Sequence, residues 1–154
     1  MNVLDVLIAS AGQWAGKNRL MDPHTNSVDE SPGTAIVTPG LGDRSVRIDY
    51  TWAYHGSPQE GSLLIGYDAS RGLITSQWID SWHMGDKAMA CEGPVVAGEP
   101  ISVRGSYAAP AGPDLGWRII VAIKDQRLHV AMHNITPDGR EDLAVEAEYS
   151  RATP

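Results

Sequence analysis

The sequence contains no phenylalanine and a single cysteine, Cys91. Without phenylalanine, the bulk of any core falls to five tryptophans, five tyrosines and the aliphatic residues. One cysteine excludes an internal disulfide and a CxxC zinc or redox motif, so Cys91 reads as a small core hydrophobe. Basic residues are scarce as well: 12 Lys and Arg stand against 19 Asp and Glu, a net charge of −7. Phosphate binding needs clustered cations, which argues against nucleic acid or an anionic membrane as the main partner. Long hydrophobic runs are missing too. No stretch approaches the roughly 20 apolar residues of a membrane helix. The opening "MNVLDVLIASAG" (1–12) makes a poor export signal, because it lacks a basic leader and Asp5 interrupts its apolar run. The expectation is a cytoplasmic protein.

What is present is enough for one domain, 1–154. A chain of this length buries roughly two thirds of its unfolded surface without help from metal or disulfide. Val3, Leu4, Leu7 and Ile8 recur at helical spacing. Asn2 is placed to cap and Gly12 to stop the run, so a short amphipathic helix is expected over 3–10. Such a helix is too short to stand alone and must lie against something. Beyond it the helical period disappears. Short alternating runs follow at 14–21, 34–39, 45–54, 59–68, 73–83, 88–93, 100–107, 117–124, 127–134 and 143–151. "HGSP" (55–58), "ASRG" (69–72) and "KDQR" (124–127) are tight connections, which join antiparallel neighbours. A meander of about ten strands removes its two edges by closing. The expected fold is therefore all-β, a closed antiparallel up-and-down barrel, with a two-sheet sandwich as the rival. Two longer connections, "DPHTNSVDESPG" (22–33) and "AAPAGPDLG" (108–116), read as solvated links or binding loops.

Side chains alternate along strands, so the inward faces can be read directly. They carry Tyr50, Trp52, Tyr54, Tyr67, Trp78, Asp80, Trp82, Tyr107, Trp117 and Asn134. In "TSQWIDSWHM" (75–84) the alternation aims Trp78, Asp80 and Trp82 inward and His83 outward. A buried carboxylate needs partners, and Asn134 and Arg151 share its inward parity. On 143–151 the same alternation places Leu143 inward. Aromatic walls with a few polar groups are the composition of a small-molecule pocket, although the same residues can simply fill a small barrel.

"GQW" (12–14) opens the first strand and Arg151 sits in the last. This resembles the calycin superfamily of lipocalins, fatty-acid-binding proteins and avidins. There a Gly-x-Trp packs at the closed end of the barrel beneath a basic residue of the last strand. "WAG" (14–16), "RIDYTW" (47–52), "QEGSLLIGYD" (59–68), "WIDSWHM" (78–84), "GWRI" (116–119) and "EAEYSR" (146–151) extend the likeness over nearly the whole chain. Together they resemble the bacterial, calycin-like family known as domain of unknown function 1579. The resemblance implies a barrel with Trp14 on its floor under Arg151, and it implies no settled activity.

Other chemistry is thinly represented. His129 and His133 share a face, but four strand residues span about 13 Å, too far for one ion. Calycin-like barrels that bind haem use a strand histidine near the opening, which makes His133 the weak haem candidate. No other cofactor is expected, and no metal site. Asp80 in an aromatic setting should have a raised pKa and could serve as a proton acceptor. There is no GxSxG, P-loop or HExxH, and "TPGLG" (38–42) reads as turn rather than phosphate cradle. Leu64, Ile79, Ile120 and Ala131 are apolar at outward parity, which leaves a homodimer open. Three functions stand at this point. One is a binding protein for a small, largely apolar ligand, with Trp52, Trp78, Trp82, Tyr107 and Trp117 as walls and Asp80 and Asn134 as orienting groups. The second is an enzyme using Asp80 as acid or base in that cavity. The third is a structural or dimerising barrel with a filled core.

Overall fold

A computed structural model describes residues 3–152. A helix α1 (Asp5–Ile8) is followed by β1 (Gly12–Asp22), β2 (Ser27–Gly40), β3 (Ser45–Tyr54), β4 (Ser57–Asp68) and β5 (Leu73–Asp80). Then come β6 (Met89–Pro94), β7 (Ile101–Tyr107), β8 (Leu115–Lys124), β9 (Arg127–Ile135) and β10 (Glu141–Arg151). Each strand pairs antiparallel with its sequence neighbours, and β1 pairs with β10, so the ten strands form a closed barrel. This is the architecture the alternating runs and tight turns predict, and the sandwich is excluded. No helix among the described residues is long and apolar enough to cross a membrane.

The turns explain part of the register. His55 and Gly56 adopt left-handed φ of 46° and 82°, and Asp125 and Gln126 adopt 52° and 63°. Two-residue loops with both residues left-handed match the twist of the strands they join. They set Tyr54 opposite Ser57 and Lys124 opposite Arg127.

One end of the barrel is sealed. Trp14 is 3% exposed and its Nε1 donates to the Ser10 carbonyl at 2.9 Å. The Arg151 guanidinium lies 4.7 Å from the Trp14 ring centre and donates to the carbonyls of Ala9 and Ala11. It stacks on the floor and ties down the end of the helix at once. Leu4 and Leu7 are buried on the same end. The helix is shorter than the 3–10 expected, and Asn2 lies outside the described residues. Above the floor the inward faces pack against one another, from Val37, Val46, Ile48 and Ile65 to Ile119, Val121 and Leu128.

Three sequence expectations are corrected. Residues 22–33 are not a loop: β1 runs on to Asp22 and β2 starts at Ser27, paired from Asp22↔Ser27 to Gly12↔Val37. Pro32 and the polar run disguise this strand. Proline cannot donate to a ladder, and β2 pairs with β3 only from Thr34 onward. Past that point Ser31 Oγ accepts the Ala53 N–H at 3.0 Å, so a side chain replaces the missing ladder bond. Second, Leu143 faces outward, 37% exposed, because a bulge between Leu143 and Val145 reverses the parity of the strand there. Third, β5 ends at Asp80 rather than at 83. On the outer wall Leu64 and Ile79 are exposed as alternation requires, while Ile120 and Ala131 are half-buried.

Closure between β1 and β10 depends on Gly16, which faces Tyr149. A Cβ there would stand 1.9 Å from the Glu148 carbonyl oxygen. Since that oxygen belongs to the backbone, the strands themselves would have to part. Gly16→Ala is expected to destabilise the barrel by about 3 kcal/mol. Urea unfolding followed by tryptophan fluorescence measures this, and an unchanged midpoint would contradict it.

Candidate functional site

The end of the barrel opposite Trp14 is organised by Asp80. Its carboxylate is 2% exposed and takes four hydrogen bonds. Oδ2 accepts the Tyr50 hydroxyl at 2.7 Å and the Trp52 Nε1–H at 3.2 Å. Oδ1 accepts the backbone N–H groups of Trp82 and His83, both at 2.9 Å. A carboxylate has about four lone-pair sites, so all are occupied. Neither Asn134 nor Arg151, the partners its strand parity suggests, is among them.

The geometry follows from one row of the sheet. Tyr50 lies opposite Gly61, and Gly61 opposite Asp80. Because Gly61 has no side chain, the Tyr50 ring can cross it to reach the acid. A Cβ on Gly61 would stand 2.2 Å from the Tyr50 hydroxyl oxygen. That oxygen also accepts the Trp78 Nε1–H at 2.9 Å. Burial raises the Tyr50 pKa well above its ordinary value, and the Asp80 charge adds to this. The phenol therefore stays protonated as a donor.

The two backbone bonds to Oδ1, with the Met84 N–H on the Asp80 carbonyl at 2.9 Å, pull the chain out of the sheet. Residues 81–86 turn across the barrel end instead of extending β5. This corrects His83, which alternation aims outward. Its ring packs at 4.7–5.7 Å from Trp52, Trp78, Trp82 and Trp117. Burial lowers its pKa, against the opposing pull of Asp80, so the imidazole is neutral near pH 7. Trp82 lies at the rim, with its ring near Trp52 at 5.8 Å, Tyr54 at 5.1 Å and His24 at 6.0 Å.

The lumen beneath is nearly full. A cavity of about 20 Å³ remains beside Asn18, Tyr50, Asp80 and Tyr149, room for roughly one water. Trp78 stacks on Trp117 at 5.3 Å and 10°. At the mouth, however, a cleft of about 400 Å³ opens between Leu20, Pro23, Trp82, Tyr107, Trp117 and Asn134. Of the seven ligand-site residues proposed from sequence, Trp82, Tyr107, Trp117 and Asn134 meet in this cleft. Trp52, Trp78 and Asp80 lie below it. Tyr107 donates its hydroxyl proton to Asn134 Oδ1, while Trp117 Nε1 is buried with no partner among the described residues. Pro23 belongs to the hairpin tip that replaces the expected loop. His133 sits on the outer side of β9, between Arg118 and Leu143, away from the lumen. Among the described residues no three His, Cys, Asp or Glu side chains are grouped to hold a metal.

The hairpin tip is fixed by a second buried acid. Asp22 Oδ1 accepts the His24 N–H at 2.8 Å, and Oδ2 accepts the Tyr54 hydroxyl at 2.8 Å and contacts His55 Nε2 at 3.3 Å. Burial alone would raise its pKa. The His24 amide, Tyr54, His55 and Thr25 outweigh burial and hold it at about 2.

Comparison with known proteins agrees with the fold. The family "Protein of unknown function (DUF1579)" matches residues 4–151, and the chain belongs to it. Among solved structures, Rv2717c from M. tuberculosis is similar, with a TM-score of 0.66 and 15% identity over 99% of each chain. No curated protein matches the sequence.

Two outcomes are expected from this geometry. Asp80→Ala leaves four donors in or near the core without an acceptor and should cost at least about 3 kcal/mol. Thermal melting measures it, and a wild-type melting temperature would contradict the role given to Asp80. For Asp22, a folded pKa near 2 lies below the ordinary 3.8. Its stabilisation is therefore complete above about pH 4 and lost as pH falls through about 2. In Asp22→Asn the loss of stability between pH 6 and pH 2 should be smaller than in the wild type. Denaturant midpoints at the two pH values measure it, and an equal or larger loss would contradict it.

Proposed function

We propose that this DUF1579 chain is a binding protein for a small, largely apolar molecule, and that its site is the barrel mouth rather than the depth of the lumen. The cleft walled by Trp82, Tyr107 and Trp117 carries this reading. At about 400 Å³ it lies in the size range of small-ligand sites, and it joins apolar rings to a few polar groups. The filled lumen beneath supplies a rigid base for those rings. A preorganised wall binds with less loss of side-chain freedom than a mobile one.

In this reading Asp80 positions and does not react. Its oxygens face four protein donors, which leaves none turned toward a substrate. That observation favours binding over acid–base catalysis by Asp80.

The test is titration with N-phenylnaphthylamine, a neutral dye that brightens in apolar surroundings. Saturable binding is expected, weakened about tenfold or more in Trp82→Ala. Leu64→Ala, on the outer wall, should leave it unchanged. Absence of saturable binding would favour a barrel whose role is structural, and equal affinity in Trp82→Ala would move the site away from the mouth.

A further inference from the structure

We infer that the mouth cleft takes an uncharged, planar ligand bearing a hydrogen-bond acceptor, such as an aryl ketone, read by the N–H groups of Asn134 and Trp117. The inference rests on the mouth being the binding site and adds the chemistry that site selects.

Charge is the first filter. Among the described residues, no Lys or Arg lines the cleft. Its one acidic residue, Asp142, is held at the rim by Arg140, with Nε at 3.1 and 3.2 Å from the two oxygens. His83 is neutral because burial lowers its pKa. A carboxylate or phosphate entering here would meet no counter-charge and would lie near the acid groups of Asp80 and Asp142, so its desolvation would go uncompensated. A cation fares little better. Asp142 is already paired, and the acceptor sites of Asp80 are filled.

Hydrogen-bonding capacity is the second. Asn134 Oδ1 is occupied by the Tyr107 hydroxyl, which fixes the amide and leaves Nδ2 as a donor to the cleft. Trp117, 6% exposed, lines the same cleft and carries a buried Nε1–H with no acceptor among the described residues. Buried donors without acceptors are unfavourable, and a ligand oxygen or ring nitrogen would satisfy them. The cleft therefore has donors to spare and aromatic walls, and flat rings pack best against rings. A two-ring ligand with one carbonyl suits both filters.

The experiment compares three probes of nearly one size on one ring system: propyl-dimethylaminonaphthalene, the matching propionyl ketone and the matching carboxylate. The wild type is expected to bind the ketone about tenfold more tightly than the parent arene, the factor one hydrogen bond supplies. It should bind the carboxylate most weakly. Asn134→Leu should lower ketone affinity several-fold, toward that of the arene, while arene affinity changes less. Trp117→Phe keeps an aromatic ring and removes the N–H, at the cost of part of the stack on Trp78, so it should melt somewhat lower than the wild type. It should weaken the ketone several-fold and the arene less. Equal affinities for ketone and arene, or tightest binding of the carboxylate, would overturn the inference while leaving the mouth as a site. Failure of both arene and ketone to bind would remove the site itself.

Discussion

The hydrogen bonds to the Asp80 carboxylate are the constraint from which the open end of this barrel follows. One buried acid joins the side chains of Tyr50 and Trp52 to the backbone of Trp82 and His83. It thereby links two strands to the turn that leaves the sheet. Tyr50 passes the connection on to Trp78, which stacks on Trp117. A carboxylate between two tryptophans is thus a joint. It satisfies polar groups that bulky aromatic side chains bring into a core built without phenylalanine. Without it, the turn over residues 81–86 would lose the two bonds that tie Trp82 and His83 to the end of β5.

The two ends of the barrel solve different problems with related means. At the floor a cation, Arg151, covers the face of Trp14 and takes the carbonyls of Ala9 and Ala11, just past the helix. At the mouth two acids, Asp80 and Asp22, gather N–H and O–H donors from turns and aromatic residues. The first arrangement closes its end by stacking. The second holds rings in place around a space, because the bonds are spent within the wall. A filled lumen and an open cleft therefore coexist in one small barrel.

Much of the frame was legible in the sequence, because strand alternation and turn chemistry are local signals. The resemblance to calycin barrels matches Trp14 with Arg151 from opposite ends of the chain, and parity alone aims Tyr107, Trp117 and Asn134 inward, while Trp82 reaches the mouth through the turn after β5. The failures share a cause, which is that parity survives only while the strand does. Alternation aims His83 outward because it carries the parity of β5 past Asp80, where the strand ends. The signal that could have marked it is Asp80 itself, since Asp side chains accept N–H groups two and three residues on. Leu143 was reversed by a bulge that the sequence does not announce. Residues 27–33 were missed because Pro32 and a run of polar residues hide a strand bonded fully on one side and by side chains on the other. That the lumen is packed, and the space displaced to the mouth, depends on side-chain volumes summed over all ten strands. No local pattern carries that sum.

The most direct test of this account uses the five tryptophans as reporters. Their indole N–H signals can be followed by proton–nitrogen NMR while N-phenylnaphthylamine is added. If the mouth held by Asp80 is the site, the signals of Trp82 and Trp117 should move with saturation and that of Trp14 at the sealed floor should stay. Movement centred on Trp14, or five signals that never move, would contradict it.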